Sequence, residues 1–165
     1  MRTTNRVLLV EDFVPFRALV SALLREKPGF QIVSETSDGL EAVRRARELH
    51  PDLVLMDIGL PGMNGIEAAR RIRELAPRSR IVFLSQEGST EIVEEALRSG
   101  ALGYVHKPRA GDDLYPALAA VLEGQPFVSD GLMGEKEAAV TLGDARNHRP
   151  CFEETPYLRF QRAQP

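Results

Sequence analysis

A single cysteine, Cys151, excludes an internal disulfide, and no Cys/His spacing in the chain has the form of a zinc site. A thiol count this low fits a reducing compartment. Long apolar runs are also missing: the longest, Ala117 to Leu122, has six residues, against the ~18 that would suggest a membrane span. The opening MRTTNRVLLVEDF begins with basic residues, but its apolar stretch stops at Val10 before Glu11 and Asp12, which excludes a signal-peptide reading. Nor is there a basic excess. The formal charge is −3, and a dedicated nucleic-acid binder would need a positive surface. The expectation is a soluble, cytoplasmic protein with no DNA and no membrane among its partners. What is present is ordinary for a globular chain: 165 residues, 43% hydrophobic and 27% charged, enough for one domain plus an appendage.

Five short apolar runs punctuate the chain: VLLV (7–10), FQIV (30–33), LVLM (53–56), IVFL (81–84) and LGYV (102–105). Each is bounded by polar or turn residues and predicts a buried strand. Between and after them, apolar residues recur at helical spacing. The stripes are Phe16, Leu19, Val20, Leu23 and Leu24; Leu40, Val43 and Ala46; Ala68, Ala69, Ile72 and Leu75; Ile92, Val93, Ala96 and Leu97; and Leu114, Ala117, Leu118, Val121 and Leu122. Asp38 with Glu41, and Asn64 with Glu67, have the spacing of an N-cap and its third-position acid. Pro77, Gly100 and Gly124 stand where a chain leaves a helix. Pro116 requires the last helix to start near Asp112 or Asp113, so that its missing N–H falls in the unpaired first turn. Strict alternation of apolar strands with helices predicts an α/β fold, a doubly wound parallel sheet covered on both faces. The domain spans 1–123. Residues 124–165 hold four glycines and four prolines without an apolar period, and read as a tail in which only 126–132 (PFVSDGL) is a candidate to dock as a short extended piece.

Ligands of open parallel sheets gather at the carboxyl ends of the strands. There this sequence places Glu11 and Asp12 after the first strand, Asp57 after the third, Ser85 after the fourth, and Lys107 with Pro108 after the fifth. If the first and third strands are neighbours, three carboxylates converge. Two carboxylates about 4 Å apart repel by about 4 kcal/mol at an effective dielectric near 20, so the cluster needs cations. Lys107 supplies one. An all-oxygen donor set favours a hard divalent ion, Mg²⁺ first, as the other. Such a site suits phosphoryl transfer to a carboxylate. Asp57 is the candidate nucleophile, and Asp12 and Asp57 are direct metal ligands. Glu11 ligates mainly through water, and the Gly59 carbonyl is a further ligand. Ser85 and Lys107 hold phosphoryl oxygens. Each residue alone also fits a plainer role, as an N-cap, loop residue, strand-end hydroxyl or solvated lysine; their agreement at four strand ends decides between the readings.

RVLLVEDF, DLVLMDIGLPGMNGIEAARRIR, IVFLSQ and EEALRSGALGYVHKPRAGDDLYPAL together resemble the receiver domain of two-component response regulators, closest to the subfamily that drives LuxR/NarL-type outputs. The resemblance runs from about Arg6 to Leu132. It implies a flavodoxin-like, five-stranded sheet of order 2-1-3-4-5, and Mg²⁺-dependent phosphorylation of Asp57 by a histidine kinase or phosphotransfer protein. It further implies a cis Lys107–Pro108 bond and a switch in which Ser85 moves toward the phosphoryl group as Tyr104 changes rotamer. A downstream protein, or a second copy of the chain, would then meet the face of the fourth helix, fifth strand and fifth helix, around Leu97 and Tyr104. The protein would be no enzyme beyond its own phosphorylation and dephosphorylation.

Two features depart from the resemblance. Gln86 follows Ser85 where a smaller or apolar residue is usual, and its expected place is the mouth of the site, narrowing access and tuning the lifetime of the phosphorylated state. The 33 residues after Leu132 contain nothing like a helix-turn-helix output. Two other functions compete. A phosphorylation-independent docking module is disfavoured by the complete acidic set with Lys107. A Mg²⁺-dependent phosphohydrolase would need a second aspartate two residues after Asp12, where Val14 stands, or an aspartate pair after the third strand, where Asp57 is followed by Ile58 and Gly59.

Overall fold

Successive side chains of a strand point to opposite faces, so runs that are apolar throughout require a layer of helices on each side of the sheet. The computed structural model, which describes residues 3–132, has this arrangement. The order is β1 (Asn5–Val10), α1 (Val14–Glu26), β2 (Phe30–Thr36), α2 (Gly39–Leu49), β3 (Leu53–Met56), α3 (Gly65–Leu75), β4 (Arg80–Ser85), α4 (Thr90–Arg98) and β5 (Gly103–His106). A 3-10 turn (Lys107–Arg109), α5 (Ala110–Leu122) and β6 (Phe127–Val128) follow. All pairings are parallel, in the order β2-β1-β3-β4-β5-β6. The five-stranded sheet expected from the sequence is therefore present and gains a sixth, two-residue strand at its β5 edge. That strand comes from the 126–132 segment, whose Leu132 is buried in the core. The expected tail beyond it lies outside the described residues.

The strand pleat sorts the core into two layers. Val7, Leu9, Leu53, Leu55, Val82, Leu84 and Val105 face α1 and α5, while Leu8, Val10, Val54, Met56, Ile81 and Phe83 face α2, α3 and α4. Each fully buried aliphatic or aromatic side chain contributes about 1.5–3 kcal/mol. The helix ends follow the expected chemistry. The Asp38 and Asn64 side chains accept from the N–H of Glu41 and Glu67, each at 2.9 Å, and the left-handed Gly100 and Gly124 follow α4 and α5.

Four expectations need correction. β2 is only half-buried, with Gln31 and Glu35 exposed, because it is an edge strand with β1 as its only neighbour. Leu19, Leu40 and Leu75 are exposed despite lying in the apolar stripes, because each stripe is wider than the arc its helix presents to the sheet. Pro116 sits inside α5, which starts at Ala110 rather than at Asp112 or Asp113. Pro116 and Asp112 are both exposed, so water can satisfy the carbonyl that loses its partner. No cis peptide occurs among the described residues, so Lys107–Pro108 is trans. Pro108 lies in the first turn of the 3-10 segment, where its fixed φ fits and no intrahelical N–H is required.

Candidate functional site

Because β1 and β3 are adjacent, Glu11–Asp12 and Asp57 leave the sheet side by side. The Asp57 N–H donates to the Val10 carbonyl and the Glu11 N–H to the Thr36 carbonyl, each at 2.9 Å, which locks both exits to the sheet. One carboxylate oxygen from each of Glu11, Asp12 and Asp57 lies within 4.8 Å of the others. Glu11 and Asp57 are buried, while Asp12 is open to solvent. From the end of β5, Lys107 reaches into this group, its Nζ 2.8 Å from Glu11 Oε2 and 3.2 Å from Asp57 Oδ2. The ammonium also lies 4.7 Å from the centre of the Phe16 ring, a cation–π contact from α1. Asp57 Oδ1 accepts from the Gly59 N–H at 3.3 Å.

Glu11 carries the electrostatic strain of the cleft. Its Oε1 accepts from the Phe13 N–H at 3.0 Å. Its Oε2 faces Lys107 as an ion pair and, among the described residues, is the one buried side-chain polar atom without an aligned hydrogen bond. Burial pushes the Glu11 carboxyl above the usual carboxylate range. The Lys107 ammonium and the Phe13 N–H oppose that shift, and the Asp57 charge adds to it.

The other half of the site is the β4–α4 loop. Ser85 is buried and its Oγ accepts from the Glu87 N–H at 3.1 Å. Tyr104, fully buried in β5, donates its hydroxyl to the Glu87 carbonyl at 2.6 Å. Burial raises the Tyr104 hydroxyl to about 12, with the Ser85 hydroxyl opposing the shift and the Glu87 and Asp57 charges adding to it. Gln86 is exposed, and its carbonyl lies 3.1 Å from His106 Nε2.

The structure thus brings together Glu11, Asp12, Asp57, Gly59 and Lys107, with Ser85 at the end of β4 and Tyr104 in β5 both bonded to Glu87 of the adjoining loop. It does not support Leu97 and Tyr104 as a contact surface. Leu97 is 2% and Tyr104 0% exposed, and the free edge of β5 beside them is taken by β6. Sequence reasoning missed three participants. Phe16 is indistinguishable from its apolar stripe, Glu87 acts through its backbone, and His106 finds its partner only across β4 and β5. The carboxylate donors fit a hard cation: three oxygens from separate residues, one of them exposed, with a buried Glu11 oxygen that faces the Lys107 ammonium at the base.

Residues 7–119 match the family model described as "Response regulator receiver domain". The chain is 34% identical over 153 residues to the nitrate/nitrite response regulator protein NarL of Escherichia coli, covering 93% of this chain and 71% of that protein. It is 38% identical over 104 residues to the chemotaxis protein CheY of Thermotoga maritima, covering 63% of this chain and 86% of that one. Among solved structures, a LuxR-family two-component response regulator from an Aurantimonas species superposes with a TM-score of 0.75 at 34% identity, over 88% of this chain and 100% of that one.

Proposed function

Since the chain belongs to the response regulator receiver-domain family, we propose that its acidic cleft accepts a phosphoryl group on Asp57 and that the protein works as a phosphorylation-activated signalling switch. The observation that carries this reading is the setting of Asp57, a buried carboxylate with an ammonium 3.2 Å away and two further acids beside it. An Asp57 carboxylate oxygen attacks phosphorus, the bond from phosphorus to the donor's nitrogen or oxygen breaks, and the leaving group departs with its electron pair. Lys107 moves its charge onto the phosphoryl oxygens, and the Ser85 hydroxyl turns from the Glu87 N–H to donate to one of them. Glu11, Asp12, Asp57 and the Gly59 carbonyl would hold Mg²⁺, which when bound neutralises phosphoryl charge.

The donors are a histidine kinase or phosphotransfer protein, and the output is a change of binding to a downstream protein. Beyond its own phosphorylation and dephosphorylation the domain turns over no substrate. Intact-mass measurement after incubation with acetyl phosphate tests the reading. One phosphoryl adduct is expected with Mg²⁺, none with chelator, and none in Asp57→Asn. An unmodified wild type, or an equally modified Asp57→Asn, overturns it.

A further inference from the structure

The turn that carries Lys107 is gripped on both sides by a pair of buried polar side chains. On the near side, the His106 N–H donates to Ser129 Oγ at 3.0 Å. On the far side, Arg109 donates to Asp113 through Nε at 2.9 Å and through Nη2 at 3.2 Å. The two grips form one unit, because the Ser129 hydroxyl donates to Asp113 Oδ2 at 2.6 Å. Ser129 is 2% and Asp113 7% exposed. The Asp113 carboxyl is held below the usual range, first by Arg109 and then by Ser129 against the cost of burial, so it stays an acceptor.

Docking of the segment after α5 does not need this hydroxyl. Backbone bonds from the Phe127 N–H to the Leu102 carbonyl and from the Ser129 N–H to the Tyr104 carbonyl, each 2.9 Å, already pair it with β5. The Ser129 side chain reaches further, to the N–H of His106, the residue before Lys107. Ser129 also lies beyond residue 119, where the family match ends.

We propose that Ser129, acting with Asp113, is a positioning residue for Lys107, holding the backbone from which the ammonium reaches Asp57, so that the working site extends into the segment after α5. The inference rests on the phosphoryl-accepting role of Asp57. Lys107 contacts the transferred group, whereas the carboxylates hold the metal, and a misplaced Lys107 therefore weakens phosphoryl binding without weakening metal binding.

Calorimetric titration of the full chain with Mg²⁺ alone, and with beryllofluoride in saturating Mg²⁺, separates the two. Ser129→Ala is expected to lose about tenfold in beryllofluoride affinity with Mg²⁺ affinity unchanged. Ser129→Thr, which keeps the hydroxyl, is expected to restore it. Asp113→Asn, which keeps the volume but loses the charge, is expected to show the same split as Ser129→Ala and carries the test if that variant melts below the assay temperature. Wild-type beryllofluoride affinity in Ser129→Ala, equal losses for both ligands, or a threonine variant as impaired as the alanine one overturns the inference. A wild type that binds Mg²⁺ but no beryllofluoride overturns the reading of Asp57 itself, and this inference with it.

Discussion

Glu11 and Asp12 are neighbours in sequence with opposite surroundings, and the difference dictates separate roles. Glu11 is fully buried with Lys107 at 2.8 Å, so its charge is already partly compensated; Asp12 is exposed and free to give an oxygen to an incoming ion. Asp12→Ala is therefore expected to weaken Mg²⁺ binding about tenfold or more, or at least about 1.4 kcal/mol, with a smaller loss in Glu11→Ala. Equal losses in parallel calorimetric titrations would contradict that assignment. Glu11 also leaves a signature without metal. Its carboxyl titrates higher in the folded chain than in the unfolded one, so the folded state holds this proton over a window starting near the ordinary value of 4.5. Stability from this group is complete below that value and is lost as pH rises through the raised folded pKa. Asp113, shifted the other way, stabilises above its ordinary range and loses that contribution as pH falls through its lowered pKa. Denaturant unfolding in chelator across the acid range is expected to show that Glu11→Gln lacks the decline with rising pH that Glu11 imposes on the wild type. A wild-type-minus-variant difference independent of pH would show that the buried carboxyl is not strained.

At the scale of elements, the loop between β3 and α3 is held by the start of the helix that follows it. Asn64 caps α3, the Gly65 N–H donates to the Ile58 carbonyl at 2.8 Å, and a Cβ on Gly65 would lie 2.1 Å from the Asp57 carbonyl oxygen. The two residues predict different failures. Asn64→Ala removes one capping bond and is expected to cost about 1 kcal/mol in denaturant unfolding with Mg²⁺ affinity retained. Gly65→Ala forces the helix away from the backbone of Asp57 and is expected to reduce both stability and Mg²⁺ affinity. If Gly65→Ala left Mg²⁺ binding intact, the close packing of α3 on Asp57 would not be what places the acid. The Asn64 cap was legible from sequence because it depends on residues three apart; the backbone approach at Gly65 was not, since it joins a turn to a helix in space. The same division explains α5. Its apolar stripe was legible, but its start at Ala110 was not, because the preceding 3-10 turn feeds directly into it and solvent on the Pro116 face tolerates the missing N–H. β6 was legible only as a candidate, since a two-residue strand has no period and exists because β5 offers an unpaired edge.

Over the whole molecule, the acids and Lys107 could be read from sequence because strand order alone collects strand ends at one edge, whereas the route out of the cleft could not, because it runs through backbone carbonyls. Ser85 Oγ and the Tyr104 hydroxyl both hold Glu87, the Gln86 carbonyl meets the His106 ring, and a Cβ on Gly88 would lie 3.3 Å from Leu132. Any movement of Ser85 toward a phosphoryl group must therefore disturb residues 86–89, then β5 and the segment carrying β6. Among the described residues the opposite edge has no such link: β2 is tied to the site through the Thr36 carbonyl on Glu11, a bond that Ser85 does not touch. Packed cores pass on displacement through discrete contacts rather than uniformly, so the response is expected to be one-sided. Hydrogen exchange with and without beryllofluoride in Mg²⁺ is expected to change amide protection across 86–89, β5 and 127–132, leaving β2, α1 and α2 nearly as before. The partner surface would then be the rim formed by this loop and β6, in place of the buried Leu97 and Tyr104. Protection changes concentrated in β2 and α1, or spread evenly over the sheet, would show that the signal leaves the cleft by another path.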